Sequence, residues 1–180
     1  MTINWVAQAI GVVGVIAFIV SFQLKSNKLL LIMQIFANFM FCLQFILLGA
    51  YVGCISLLVL NFRSILLLLQ ARYKWAKWNG WLIIMILFLV GGTILSWDGV
   101  KSLLPFVAAA VGVAAYWSGN ARAYRTSNLF CSCPCWLTYD AIVGSYAGML
   151  NELIAITSII VSIIRFGWKA LGKDDFGTKE

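Results

Sequence analysis

Arg63 stands in the middle of a long apolar stretch running from residue 54 to residue 71. At the centre of a membrane helix an arginine costs about 2.5–3.5 kcal/mol to insert, so such a residue faces a bundle interior, a cavity or a counter-ion. Its guanidinium fork suits a carboxylate or another anion. That chemistry fits a substrate or coupling site, and it equally fits a structural ion pair. Snorkelling is the weaker reading, because either interface lies roughly 10 Å or more away at about 1.5 Å per residue. Two acids on other apolar segments, Asp140 and Glu152, are the available counter-ions. A buried carboxyl group also favours its neutral form and can take up a proton. Either acid has a plainer reading as an interfacial carboxylate wetted by headgroups. Asn61, Asn151 and Ser56 are polar groups at which a solute could hydrogen-bond, or at which helices could bond each other for about 0.6 kcal/mol per contact. Gln34, Asn38 and Gln44 read the same way, with Gln34 and Asn38 one helical turn apart on one face.

Cys131-Ser132-Cys133-Pro134-Cys135 is the second pattern with chemical content. Soft thiolates select Cu(I), and a proline opens a helix so that neighbouring sulfurs can converge. Packing of small, well-tolerated residues is the competing reading. There is no histidine, which removes His-based triads, His-ligated zinc and His proton relays. No Walker loop or nucleophile–base pair is present, so neither an enzyme nor a cofactor is expected. Five cysteines, an odd number in apolar surroundings, argue against a secreted disulfide framework.

These residues must be positioned by membrane helices. Of the 180 residues 63% are apolar and 11% charged, against about 45–50% and 25% in soluble domains. That composition excludes an ordinary soluble enzyme, a disordered chain and a nucleic-acid binder. A helix needs roughly 20 apolar residues to cross the hydrocarbon. Seven stretches qualify: 5–24, 29–48, 54–71, 80–97, 102–119, 128–146 and 149–167. The first is not expected to be a cleaved signal peptide, since no Lys or Arg precedes Lys25. Pro134 is expected to bend the sixth.

Charge tests the count. Lys25 and Lys28, then Arg72, Lys74 and Lys77, then Arg122 and Arg125, then Arg165, Lys169, Lys173 and Lys179 fall at alternate connections and the tail. Eleven of the 13 basic residues thus share one side, which the positive-inside rule makes cytoplasmic, with the N-terminus outside. Trp5, Tyr51, Trp97 and Tyr146 mark the outer boundary, and Tyr73, Trp75, Trp78, Trp81, Trp117 and Trp168 the inner one. Ala108, Ala109, Gly112 and Ala115 form a small-residue stripe suited to close helix packing.

The chain also repeats itself. Gly49-Ala50-Tyr51-Val52-Gly53 recurs 95 residues later as Gly144-Ser145-Tyr146-Ala147-Gly148. Each motif is expected in a short outer loop, before the last helix of a triplet. One helix separates the triplets, so both run the same way, as parallel repeats about an axis along the membrane normal.

Several ordered motifs carry a family resemblance: Trp5-x-x-Gln8-x-x-Gly11, Leu47-Leu48-Gly49-Ala50-Tyr51, Ser56 with Arg63, Leu103-Leu104-Pro105, Cys135-Trp136 and Ile164-Arg165-Phe166. Over residues 5 to 168 the chain resembles the bacterial inner-membrane YgjV-type family. Its 3+1+3 plan resembles the wider SWEET and PQ-loop transporter group. In sugar-transporting members asparagines on the two triplet-closing helices hold the solute, and the resemblance gives that role to Asn61 and Asn151. The offset of 95 pairs Asn151 with Ser56 instead, and Asn61 with Ile156. The chain has no Pro-Gln pair, so the resemblance implies a fold and a solute-transport role without a particular substrate.

The expected fold is an all-α membrane protein, SWEET-like, with seven transmembrane helices in two parallel three-helix bundles. Residues 1–72 form the first bundle, 73–99 the connecting helix, 100–168 the second bundle and 169–180 a polar cytoplasmic tail. The expected function is secondary transport of a small polar or anionic solute by alternating access at a midplane site of Arg63, Asn61, Glu152, Asn151, Asp140 and Ser56. The alternatives are Cu(I) or soft-metal handling through Cys131, Cys133 and Cys135, and a non-transporting membrane scaffold. Expected partners are the lipid bilayer of a bacterial inner membrane and the solute, with no nucleic acid and with homo-oligomerisation open.

Overall fold

Runs of Leu, Ile, Val and Phe without water to solvate their backbone must satisfy every N–H and C=O internally, and helices do so. The structure, a computed structural model, describes residues 4–23, 27–70, 72–118 and 120–166. Within them it is all-helical, with no strand. The helices are α1 (Trp5–Gln23), α2 (Asn27–Leu47), α3 (Tyr51–Gln70), α4 (Gly80–Leu95), α5 (Leu103–Trp117), α6 (Ala121–Ser127), α7 (Cys133–Val143) and α8 (Tyr146–Phe166). Short 3-10 turns occupy Lys74–Lys77 and Val100–Ser102. The expected polar tail 169–180 and Lys25 lie outside the described residues.

Tyr51–Gln70 and Tyr146–Ile164 are long and apolar enough to cross a membrane, while Trp5–Ser21, Leu31–Leu47, Gly80–Leu95 and Val100–Ala115 are apolar but shorter. Apolar side chains also face outward. Leu87, Phe88 and Ile94 of α4 are each more than 60% exposed, and exposed Ile, Leu and Phe recur on α2, α3 and α8. Water would disfavour such a continuous apolar exterior, and lipid accepts it.

Both glycine motifs are helix-to-helix turns of the same construction. Gly49 and Gly144 have φ of +70° and +74°, the left-handed conformation that ends a helix. Ala50 N–H donates to Phe45 O, and Ser145 N–H to Asp140 O, each at 2.8 Å. The next pair, Cys54 N–H to Ala50 O and Met149 N–H to Ser145 O, repeats at the same offset of 95. Tyr51 and Tyr146 therefore open α3 and α8, which start three residues earlier than the spans 54–71 and 149–167. The loop is shorter than the whole motif the sequence predicts for it: only Ala50 and Ser145 separate the left-handed glycine from the next helix.

α6, a π-turn at Asn128–Ser132 and α7 form one continuous rod from Ala121 to Val143. A π-turn stands just ahead of Pro134, a residue with no N–H to donate, where the sequence predicts a bend. Asn120 caps the rod by accepting from the Arg122 and Ala123 amides, so the rod begins seven residues before the expected 128.

Helices α1 and α2, α2 and α3, and α7 and α8 pack as sequence neighbours; α1 also touches α8, and α3 touches both α4 and α5. The small-residue stripe does pack closely. Ala108 and Ala109 are buried, and the Ala108 carbonyl accepts from Ser132 Oγ at 2.7 Å. Cys42 of α2 and Cys54 of α3 form a disulfide, with Cα atoms 4.5 Å apart across the Gly49 turn. This single staple was not expected from the odd cysteine count. Tyr73, Trp75, Trp78 and Trp81 cluster at the opposite, basic end, with Trp78 edge to face on Trp81 and the other rings tilted.

No side chain lies within 4 Å of a Cβ placed on Gly49 or Gly144, so their cost on substitution is purely conformational. Gly49→Ala and Gly144→Ala should each destabilise the detergent-solubilised protein by about 1–2 kcal/mol in thermal unfolding. Gly91→Ala, in open space within α4, should be neutral or stabilising by that measurement.

Candidate functional site

The turn between α7 and α8 fixes the first acid. Ser145 is the N-cap of α8, accepting from the Gly148 amide at 3.2 Å. Its hydroxyl donates to the Asp140 carboxylate. Gly148 makes room for that carboxylate, because a Cβ there would stand 2.6 Å from Asp140 Cγ and Oδ1. Asp140 is thus 2% exposed and pressed against the first turn of α8, where the helix dipole favours negative charge. Its Oδ1 has no hydrogen-bond partner among the described residues.

One turn further along α8, Asn151 Nδ2 donates to Glu152 Oε1 at 3.3 Å. That bond assigns the amide orientation and leaves Asn151 Oδ1 buried with no partner among the described residues. The Cys133 thiol of α7 faces Glu152 as a donor. Cys133 therefore joins the acids. Cys135 instead neighbours Cys131, one turn away on its own rod. Residues two apart on a helix point about 200° apart, so the Cys-Pro-Cys sulfurs do not converge. Among the described residues no group of three Cys, Asp or Glu is arranged to hold a metal ion.

These acids open onto a cavity of about 470 Å³. Asp140, Asn151 and Glu152 line it near the glycine-turn end, with Phe45 and Trp136. Arg63 lines it midway along α3, and Arg125, Asn128 and Tyr124 of the α6 rod line it toward the basic end. Gln34 and Asn38 of α2 also border it, on the one face their spacing implied. Arg63 is 8% exposed, and Arg125 Nη1 is a buried donor with no partner among the described residues.

The glycine-turn end is tied shut. Gln8 of α1 donates to Gly144 O at 2.7 Å and accepts from the Ala147 amide at 3.4 Å and from Gln44 Nε2 at 3.3 Å. Gly11, one turn on, leaves room for Gln44, which is fully buried. In the other half the Gly53 amide of α3 donates to Tyr139 Oη of α7 at 3.2 Å. The first turns of α3 and α8 are thus each held by a side chain from the other half. Phe45, Trp136 and Tyr139, with ring centroids 5.7–6.1 Å apart, plug the space between them.

Arg63, Asp140, Asn151 and Glu152 therefore share one cavity. Asn61 does not border it. Two residues from Arg63, it lies on the far side of α3, in an apolar groove with Ile32, Phe36, Phe39 and Ile65 of α2 and α3. Ser56 is buried and borders neither space. Arg125, assigned from the sequence to a basic loop, joins the cavity because α6 begins at Ala121. Asn120 was the available signal, as an N-cap residue just ahead of that stretch.

Residues 5–170 match the model of one family, Imp-YgjV, described as a bacterial inner membrane protein. No curated protein matches the chain, and no solved structure does.

The close approach at Gly148 can be tested directly. Gly148→Val should force Asp140 off α8 and lower stability by about 1–3 kcal/mol in thermal unfolding. An unchanged melting temperature would contradict the packing of Asp140 against that glycine.

Proposed function

The chain belongs to the Imp-YgjV family of bacterial inner membrane proteins, and on that premise we propose that it carries a small polar or anionic solute across that membrane by alternating access. The observation that carries this reading is the cavity. Two guanidinium and two carboxyl groups, from α3, the α6–α7 rod and α8, border one space inside a chain whose exterior is apolar. Hydrocarbon cannot solvate such groups, and in membrane proteins they mark solute and ion paths. Arg63 and Arg125 are the groups for an anionic or polar solute, with Asn151, Asp140 and Glu152 as its other contacts. Asn61 and Ser56 border other parts of the molecule and have no contact role in this reading.

The architecture in this proposal is seven spans in a SWEET-like 3+1+3 order. The triplets are α1–α2–α3 and α5, the α6–α7 rod and α8, with α4 between them. The offset-95 turn bonds support it, as do the reciprocal contacts of α1 with α8 and of α3 with α5. An axis along the membrane normal exchanges those two contacts. The positive-inside rule places the glycine turns in the periplasm and the basic end in the cytoplasm. The Cys42–Cys54 disulfide agrees, lying toward the oxidising side. In this arrangement the clasped end is the periplasmic gate, and the bundles rock about the cavity to open it. No enzymatic step is part of the reading, and one chain contains both bundles, so it needs no second copy.

Ser158 of α8 lines the cavity and is the offset-95 counterpart of Arg63. In a variant with Ser158→Cys and with Cys131, Cys133 and Cys135 replaced by Ser, a membrane-impermeant thiol reagent should label position 158 from both faces. The measurement is labelling in inside-out vesicles against intact spheroplasts. Labelling from one face only, or from neither, would reduce the protein to a scaffold.

A further inference from the structure

The polar groups along the cavity are sorted by type. Among the cavity's lining residues near the glycine-turn end, the buried atoms with no partner among the described residues are oxygens, Asp140 Oδ1 and Asn151 Oδ1. Asn151 Oδ1 can only accept, since Asn151 Nδ2 is committed to Glu152, and Asp140 Oδ1 accepts when its carboxyl group is ionised, the form an adjacent cation favours. The residues are 2% and 9% exposed, so bulk water does not wet them freely. Glu152 adds a second carboxyl group beside them, and Asp140 and Glu152 are close enough to interact electrostatically. Phe45 and Trp136 line the cavity there, their rings stacked on each other 12° from parallel with centroids 6.0 Å apart. Acceptor oxygens and two carboxyl groups beside an aromatic wall together describe a receptor for a desolvated cation that brings several N–H donors. A primary ammonium has three. Toward the basic end the order reverses, with Arg63 and Arg125 as donors and a buried Arg125 Nη1.

We infer that the cavity binds a zwitterion lengthwise, its ammonium against Asp140, Asn151 and Glu152 and its carboxylate toward Arg63 and Arg125. This rests on the carrier reading and narrows its solute class. On the offset of 95, Arg63 is level with Ser158, six residues beyond Glu152 on α8. That is about 9 Å along the helix at 1.5 Å per residue. Side chains reaching inward from both levels leave a gap that suits an ammonium and a carboxylate separated by several methylenes, better than a compact α-amino acid. Within the gap Ala155 of α8, and Leu57 and Leu60 of α3, offer apolar wall to those methylenes.

Thermal unfolding of the purified full chain with 5-aminovalerate, pentanoate or pentylamine tests the assignment, because a ligand that binds only the folded state raises its melting temperature. 5-Aminovalerate should raise it by about 3 °C or more at tenfold excess over its Kd, and the two single-charge compounds should do markedly less. Asp140→Asn should abolish that shift while the variant still elutes as a monodisperse peak. If that variant does not fold, Glu152→Gln should weaken the shift at least tenfold in apparent Kd. Equal stabilisation by pentanoate, or an undiminished shift in a folded Asp140→Asn, would overturn the ammonium site while leaving the carrier reading intact. No stabilisation by 5-aminovalerate would overturn it too, and labelling of position 158 from both faces would then judge the carrier reading separately.

Discussion

Lipid tails cannot hydrogen-bond, so a carboxyl or guanidinium group inside this chain needs a polar space built by the protein itself. Everything specific about the molecule follows from how that space is made. Asp140 is carried by the last turn of α7, held by Ser145 and admitted by the missing side chain of Gly148. Glu152 is held by its neighbour Asn151 and faced by Cys133. The small residues Ala108 and Gly112 bring α5 to the same wall.

The glycine repeat has two distinct tasks. Its first glycine permits the left-handed turn, and its second permits close approach. At Gly53 the approaching group is the Tyr139 ring, whose hydroxyl caps the amide; at Gly148 it is the Asp140 carboxylate. The same backbone device therefore supports an aromatic seal in one half and an acid in the other. Gln8 completes the pattern by holding the Gly144 carbonyl and the Ala147 amide from across the molecule. Hydrogen bonds of this kind are individually worth about 1 kcal/mol.

Much of this was legible in the amino-acid order. Arg63, Asp140, Asn151 and Glu152 stood out as polar groups in apolar stretches, and they share the cavity. The helical character of the chain and its membrane setting were equally visible, because long Leu, Ile and Val runs leave few alternatives. The misplacement of Asn61 has a simple cause. Two residues on a helix are separated by about 200°, so Asn61 and Arg63 could not both face one cavity. The same arithmetic separates Cys133 from Cys135. Arg125 was hidden by hydropathy, which counts Ala121–Ser127 as loop because those residues are polar, although Asn120 caps a helix there. The Gln8–Gln44 pair and the Cys42–Cys54 disulfide depend on which helix faces meet, and local periodicity carries no record of that.

The central claim is that the buried acids and guanidinium groups border a polar space that admits a guest. A structure of the full chain in lipid nanodiscs, at a resolution that shows ordered solvent, tests it most directly. The account predicts solvent or solute density between the Asp140–Glu152 pair and the level of Arg63. Side chains collapsed into direct, dry contact, with no density and no space between them, would contradict it.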